Sequence, residues 1–261
     1  MSFAGLTGRV AVVTGAGSGI GAATARRLAA EGCSVALVDR DGDAASAVTA
    51  QCGRRALAIA ADVSAEADAA EYLQAAVAHF GRVDLLHLNA GIPGPFGSFA
   101  DLDVTDYDQV VAVNQRSVFL GLRDALRHFR ATARPGAVVV TSSLAGLRAS
   151  AAVVPYTASK HAVIGLARSA AIEGAPLGVR VNVVAPGLIE TPLQQPLAEA
   201  LGGEAAAAAL RTHSPLGRMG TADEVAALVA FLLSEEAPYI TGAVHVIDGG
   251  VDASDPMQIR L

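Results

Sequence analysis

Cysteine is scarce in this sequence. Cys33 and Cys52 are the two present in 261 residues, they form no CxxC pair, and no histidine cluster stands near them at metal-ligand spacing. A disulfide-stapled scaffold and a metal centre are therefore poor readings, and two reduced thiols in a reducing compartment remain. Positive charge is also short. Lys and Arg together number 19 against 25 Asp and Glu, for a formal net charge of −6, and no basic run stands out. Such a chain lacks the electrostatic footprint for nucleic acid or an anionic membrane. Long apolar runs are missing too: none approaches the roughly 20 residues that a membrane-spanning helix requires. Residues 1–9 lack the basic start and apolar stretch of a signal peptide. The expectation is a cytoplasmic protein without metal, nucleic-acid or membrane partner.

What the chain does have is apolar material. It is 52% hydrophobic and 17% charged, enough for a large core. Apolar runs at 10–13, 34–38, 57–61, 85–88, 137–141, 179–184 and 243–247 predict seven strands. Helical spacing falls between them, over 19–31, 43–51, 66–80, 105–130, 156–173 and 222–233. Gly81 is placed to end the third helix, and Thr221 with Glu224 forms a capping box for the last. Continuous apolar strands alternating with helices predict a parallel sheet covered on both faces. With right-handed crossovers this is a Rossmann-like, doubly wound α/β fold. No linker, repeat or charge block divides residues 1–261, so a single dinucleotide-binding and catalytic domain is expected. Residues 188–219 break the alternation with three prolines and an alanine run, and read as a substrate-loop insert. Residues 251–261 read as a frayed end.

Between the first strand and helix lies Thr14-Gly15-Ala16-Gly17-Ser18-Gly19-Ile20-Gly21. Gly15 permits a tight turn. Gly19 and Gly21 let backbone approach a pyrophosphate and let the helix pack on the strand. The helix N-terminus offers N–H groups and partial positive charge. Asp39 ends the second strand, close to the spacing of about 20 residues at which a carboxylate accepts from an adenosine ribose. It also repels a 2′-phosphate, which favours NAD(H) over NADP(H). Arg40 pulls the other way, since a guanidinium can pair with that phosphate. Ser18 supplies no second cation, and Asp39 is expected to prevail.

Tyr156 and Lys160 stand four apart at the start of a helix, on one face. A nearby ammonium stabilises a phenolate and lowers the tyrosine pKa, so the pair can serve as an acid/base unit. Ser143 follows the strand 137–141 at its C-terminal end, where doubly wound folds bind ligands. Its hydroxyl can hold a carbonyl or alcohol oxygen. Ser142 is the competitor.

These pieces resemble the short-chain dehydrogenase/reductase family along nearly the whole chain. The matching motifs, in family order, are the loop 14–21, Asp62-Val63, Asn89-Ala90-Gly91, Asn114, Ser143, Tyr156-xxx-Lys160, Pro186-Gly187 and Asp248-Gly249-Gly250. The resemblance implies that Ser143 polarises the substrate oxygen and Tyr156 transfers the proton. It implies that Lys160 binds the nicotinamide ribose and tunes Tyr156, with Asn114 holding Lys160 through a bound water. Asp62 and Val63 would flank the adenine, and Asn89 would stabilise the sheet. Ile189 and Thr191 would touch the carboxamide. The cofactor set also takes in Gly15, Ser18, Gly19, Ile20, Asp39, Arg40, Ala90, Gly91, Pro186 and Gly187. One departure is Leu88, where the family often has a second asparagine; that position faces packing.

The implied activity is NAD(H)-dependent hydride transfer between the nicotinamide and a secondary alcohol or ketone, in a homotetramer. The substrate walls are expected from residues 92–96, Leu144, Val153, Leu188 and Leu193. Being apolar, they suit a small, neutral, hydrophobic substrate, cyclic ones included. Arg148 is the one nearby candidate for an anionic group; the alternative is a solvated loop arginine. Two rivals are a nucleotide-sugar epimerase, which usually carries a larger C-terminal domain, and a non-catalytic dinucleotide sensor, which tends to lose the catalytic residues.

Overall fold

The computed structural model describes residues 3–149, 151–194, 202–203 and 214–254. Alternate side chains of the first strand set the architecture. In β1 (Val10–Thr14), Val10 and Val12 join one apolar core while Ala11 and Val13 join another, so both faces of the sheet are covered. The other strands are β2 (Ser34–Asp39), β3 (Ala56–Ala60), β4 (Leu85–Leu88), β5 (Gly136–Thr141), β6 (Val179–Pro186), β7 (Ile189–Glu190), β8 (Gly220–Thr221) and β9 (Val244–Ile247). Seven form one sheet in the order β3-β2-β1-β4-β5-β6-β9. All its neighbours pair in parallel, as the unbroken apolar runs predict.

Helices α1 (Gly19–Ala30), α2 (Gly42–Cys52) and α7 (Ala222–Leu233) pack on the Ala11 and Val13 side. Helices α3 (Glu66–Phe80), α5 (Ser117–Thr132) and α6 (Val154–Gly174) pack on the Val10 and Val12 side. The strand order reverses between β1 and β4, and a crevice opens at the C-terminal ends there. The capping box forms: the Thr221 hydroxyl accepts from Glu224 N–H, and the Glu224 carboxylate accepts from Thr221 N–H. Among the described residues, no helix is long and apolar enough to cross a membrane. No cluster of three or more His, Cys, Asp or Glu among them could hold a metal ion. Cys33 and Cys52 are both free thiols.

One prediction needs correction. The expected helix over 105–130 is α4 (Val104–Val110), a π-helical turn at Val111–Arg116, and then α5. The cause is Asn114, which is fully buried and bonded in both directions to the Ile92 backbone. Holding it there widens the helix by one residue, the usual form of a π-bulge at a site. The ends of the predicted insert 188–219 are stitched by β7 pairing with β8. Its residues 195–201 and 204–213, with the alanine run, lie outside the described residues, as do 255–261 of the predicted tail.

Candidate active site

The crevice is a cleft of about 1330 Å³. Single small-molecule pockets run to about 300–1,000 Å³, so there is room for two ligands. Every predicted cofactor-binding residue lines it, as do Ser143, Tyr156 and Lys160. Asn114 does not; it lies beneath the wall.

The end built on β1 to β3 is mostly backbone. Helix α1 begins at Ser18 without a side-chain cap and with no acidic residue in its first turn. Its N-terminus therefore faces the cleft with positive partial charge available to an anion. Gly21 has to be glycine, because a Cβ there would lie 2.0 Å from the Gly15 carbonyl oxygen. Asp39 braces the loop: its carboxylate accepts from Gly17 N–H at 2.9 Å and Asp41 N–H at 3.0 Å. The Asp62 carboxyl has its pKa lowered, chiefly because the Ser64 hydroxyl and N–H both donate to it. An uncapped helix start, a loop without Cβ atoms at its closest approach and a carboxylate at the end of β2 suit the diphosphate and ribose of a dinucleotide.

The other end is built from side chains. Tyr156 and Lys160 occupy the first turns of α6, one turn apart. The Lys160 ammonium is buried, donates to the Thr141 carbonyl at 2.9 Å and lies 5.5 Å from the centre of the Tyr156 ring. Burial pulls its pKa down to about 8. Burial also raises the Tyr156 phenol, and the neighbouring Ser143 hydroxyl opposes the rise. The expected depression of Tyr156 by Lys160 is thus reversed in the protein alone. The ammonium is tethered to Thr141 and stands over the Tyr156 ring.

The two serines separate cleanly. The Ser142 hydroxyl is buried and donates to the Lys160 carbonyl at 2.8 Å, a packing role. Ser143 lines the cleft, accepts from Ala145 N–H at 3.1 Å and has its own proton free for Tyr156. Asn114 donates to Ser159 Oγ at 3.2 Å as well as to the Ile92 carbonyl at 2.9 Å, and Ser159 Oγ donates to the Tyr156 carbonyl at 2.7 Å. Asn114 therefore ties the loop following Gly91 to the start of α6. Leu88 is buried and packs on Gly121, as expected of a packing position.

A chain reading did not find His87. It is fully buried in β4, neutral, with its pKa pushed down to about 3 by burial. Its Nε2 meets Thr141 Oγ1 at 2.8 Å, and that hydroxyl donates to Asn89 Oδ1 at 3.1 Å. Since the threonine proton is spent on Asn89, Nε2 carries the histidine proton. Asn89 is thereby turned so that its amide donates to the Thr14 carbonyl at 3.2 Å. The signal was available: a histidine inside an apolar strand. Arg148 is an exposed arginine at the cleft edge, as expected, but it has a partner. Its guanidinium pairs with Asp252 Oδ1 at 2.7 Å and donates to the Asp252 carbonyl.

A family model described as enoyl-(acyl carrier protein) reductase matches residues 15–252. Levodione reductase of Leifsonia aquatica is 41% identical over 256 residues, 95% of this chain and 96% of that one. The chain belongs to the short-chain dehydrogenase/reductase family. The crystal structure of a levodione reductase superposes on this dehydrogenase/reductase with TM-score 0.92 at 40% identity, covering 95% and 99% of the two chains. Cis-4-hydroxycyclohexanecarboxylate dehydrogenase of Sinomonas cyclohexanicum is 41% identical, covering 94% and 97%. Cyclohexanol dehydrogenase of Acinetobacter sp. (strain SE19) is 39% identical, covering 92% and 94%. Cleft residues that sequence reasoning missed in this family member include Gln109, Ala112, Val113, Gln194 and Val251. Gln109 stands just before the π-helical turn and Ala112 and Val113 lie within it, a turn that no local pattern announces.

Proposed function

We propose that this protein interconverts small cyclic secondary alcohols and their ketones, using NAD(H). The observation that carries the reading is the meeting of Ser143, Tyr156 and Lys160 at the C-terminal edge of β5, against an apolar wall. The bound nicotinamide would accept or supply the hydride; the protein supplies orientation and proton chemistry. Ser143 holds the substrate oxygen and Tyr156 exchanges the hydroxyl proton. Lys160 binds the cofactor ribose from its Thr141 tether, and its charge then favours phenolate. Ile92, Pro93, Phe96, Leu144, Val153 and Leu188 form the wall. A ring of about cyclohexane size suits it, as the names of the similar enzymes suggest.

NAD(H) is favoured over NADP(H) at the other end. There Asp39, Asp41 and Asp62 face the single guanidinium of Arg40 across the lining. A 2′-phosphate would meet that carboxylate excess and displace Asp39 from its loop-bracing bonds. Asp62 and Val63 then flank the adenine, Asn89, Ala90 and Gly91 line the middle of the cleft, and Ile189 and Thr191 with Pro186 and Gly187 close on the nicotinamide. Asn114 serves as a positioning residue. Exposed apolar side chains at Phe99, Val104, Tyr107 and Phe119 support a homotetramer that buries them. The two free thiols suit the cytoplasm.

The test is turnover of cyclic and linear secondary alcohols with NAD+ and with NADP+, read by reduced-nicotinamide absorbance. Cyclic alcohols with NAD+ should give the highest kcat/KM. Cofactor binding without turnover on any alcohol or ketone would favour a dinucleotide sensor instead.

A further inference from the structure

Among the described residues lining the substrate end, only two carry a formal positive charge: Lys160 and Arg148. Lys160 is buried and committed to the Thr141 carbonyl. An anionic substituent on a substrate would therefore have to find Arg148. That guanidinium is already taken, since Nε bonds Asp252 Oδ1 at 2.7 Å and a terminal N–H donates to the Asp252 carbonyl. Asp252 is itself held in place. Its N–H donates to Asp248 Oδ2 at 2.6 Å, and Asp248 also accepts from Gly250 N–H at 2.8 Å. Asp248 in turn lies against Gly187, where a Cβ would come within 2.8 Å of its own Cβ. The carboxylate that neutralises Arg148 is thus anchored to the end of β6 and β9 by a short run of chain, with Val251 on the cleft beside it.

We infer that Asp252 sets the charge preference of the substrate pocket: by occupying Arg148 it keeps the pocket selective for neutral rings over ring carboxylates. The inference rests on the function proposed above. The pair is open to change, because the two side chains keep 47% and 39% of their surface exposed. With an amide in place of the Asp252 carboxylate, the guanidinium keeps its planar donor fork and meets only neutral carbonyl oxygens. A fork of that kind binds a carboxylate through two parallel hydrogen bonds, which a neutral ring cannot offer.

The experiment compares wild type, Asp252→Asn and the double variant Asp252→Asn with Arg148→Gln. With NAD+, the ratio of kcat/KM for cis-4-hydroxycyclohexanecarboxylate to that for cyclohexanol is measured in each. Calorimetry measures the binding of cyclohexanecarboxylate to each protein–NADH complex. For Asp252→Asn the ratio and the affinity for the carboxylate should both rise about tenfold, the scale of one charge-assisted hydrogen bond. Both gains should vanish in the double variant. An unchanged ratio, a gain that survives loss of Arg148, or a wild type that prefers the carboxylate would overturn the inference. If no form turns over either alcohol, the proposed function fails. The calorimetry then decides alone: tighter carboxylate binding dependent on Arg148 sustains the role of Asp252, and equal binding overturns it.

Discussion

At the dinucleotide end of the cleft the working groups are backbone N–H, a loop whose glycines leave no room for Cβ atoms, and carboxylates ending strands. At the substrate end they are a phenol, a hydroxyl and a buried ammonium, each steered by a second group. Asp39 braces the Gly17 turn directly at 2.9 Å, whereas Lys160 hangs from the Thr141 carbonyl and the Ser143 hydroxyl acts on the Tyr156 phenol. The first end presents backbone shape and carboxylate charge. The second is tuned by burial, which costs it charge: the Lys160 pKa falls to about 8 and the Tyr156 phenol rises. Thr141 joins the two, its carbonyl on Lys160 and its hydroxyl on Asn89.

If the ends are this separable, substitutions should divide cleanly between them. The largest effect belongs to Tyr156→Phe. Its kcat should drop on the order of a hundredfold or more, the scale of general acid–base catalysis. NADH affinity, followed by fluorescence, should stay within about twofold; loss of both together would break the comparison. Next comes Asp39→Ser, which removes the carboxylate that opposes a 2′-phosphate. The NAD+ to NADP+ ratio of kcat/KM should fall about tenfold, equivalent to about 1.4 kcal/mol, while the pH profile of kcat stays fixed. A fixed ratio would move the selection to Arg40 or Asp62.

A smaller effect sharpens the role of burial. Native Lys160 loses its proton near pH 8, against 10.5 for the unperturbed group. Between those values the unfolded chain binds more protons than the native one, so this residue makes stability rise with pH across that window. Thermal melts should show the rise for wild type minus Lys160→Met. No difference in slope would mean that the ammonium is better solvated than its surroundings imply. The smallest effect is expected at His87→Leu. Without the Nε2 proton, Thr141 loses the donor that directs its own proton to Asn89. The KM for NAD+ should rise about fivefold, the cost of one hydrogen bond of about 1 kcal/mol, with kcat held. His87→Gln, which restores a donor, should recover it; equal loss in both variants would mean a packing role only.

Much of this was legible in the chain because it is local. The alternation Val10, Ala11, Val12, Val13 declares a strand buried on both faces, and Gly21 meets the Gly15 carbonyl within the loop 14–21 itself. Tyr156 and Lys160 share a helix, so their spacing suffices. What was not legible depends on distant partners. Asn114 makes the π-helical turn by bonding Ile92, 22 positions away. His87 meets Thr141 across 54 positions and Arg148 meets Asp252 across 104. The direction of the Tyr156 shift also needed the fold, since sequence places the ammonium nearby but not over the ring.

The most direct test of the central claim follows the hydrogen itself. Cyclohexanol deuterated at the carbinol carbon is incubated with NAD+ and the protein, and the reduced nicotinamide is analysed by NMR. The account predicts the label at the nicotinamide C4, one deuteron per ketone formed, with none lost to water. Ketone formed with the label in solvent, or labelled alcohol left intact beside bound cofactor, would contradict it.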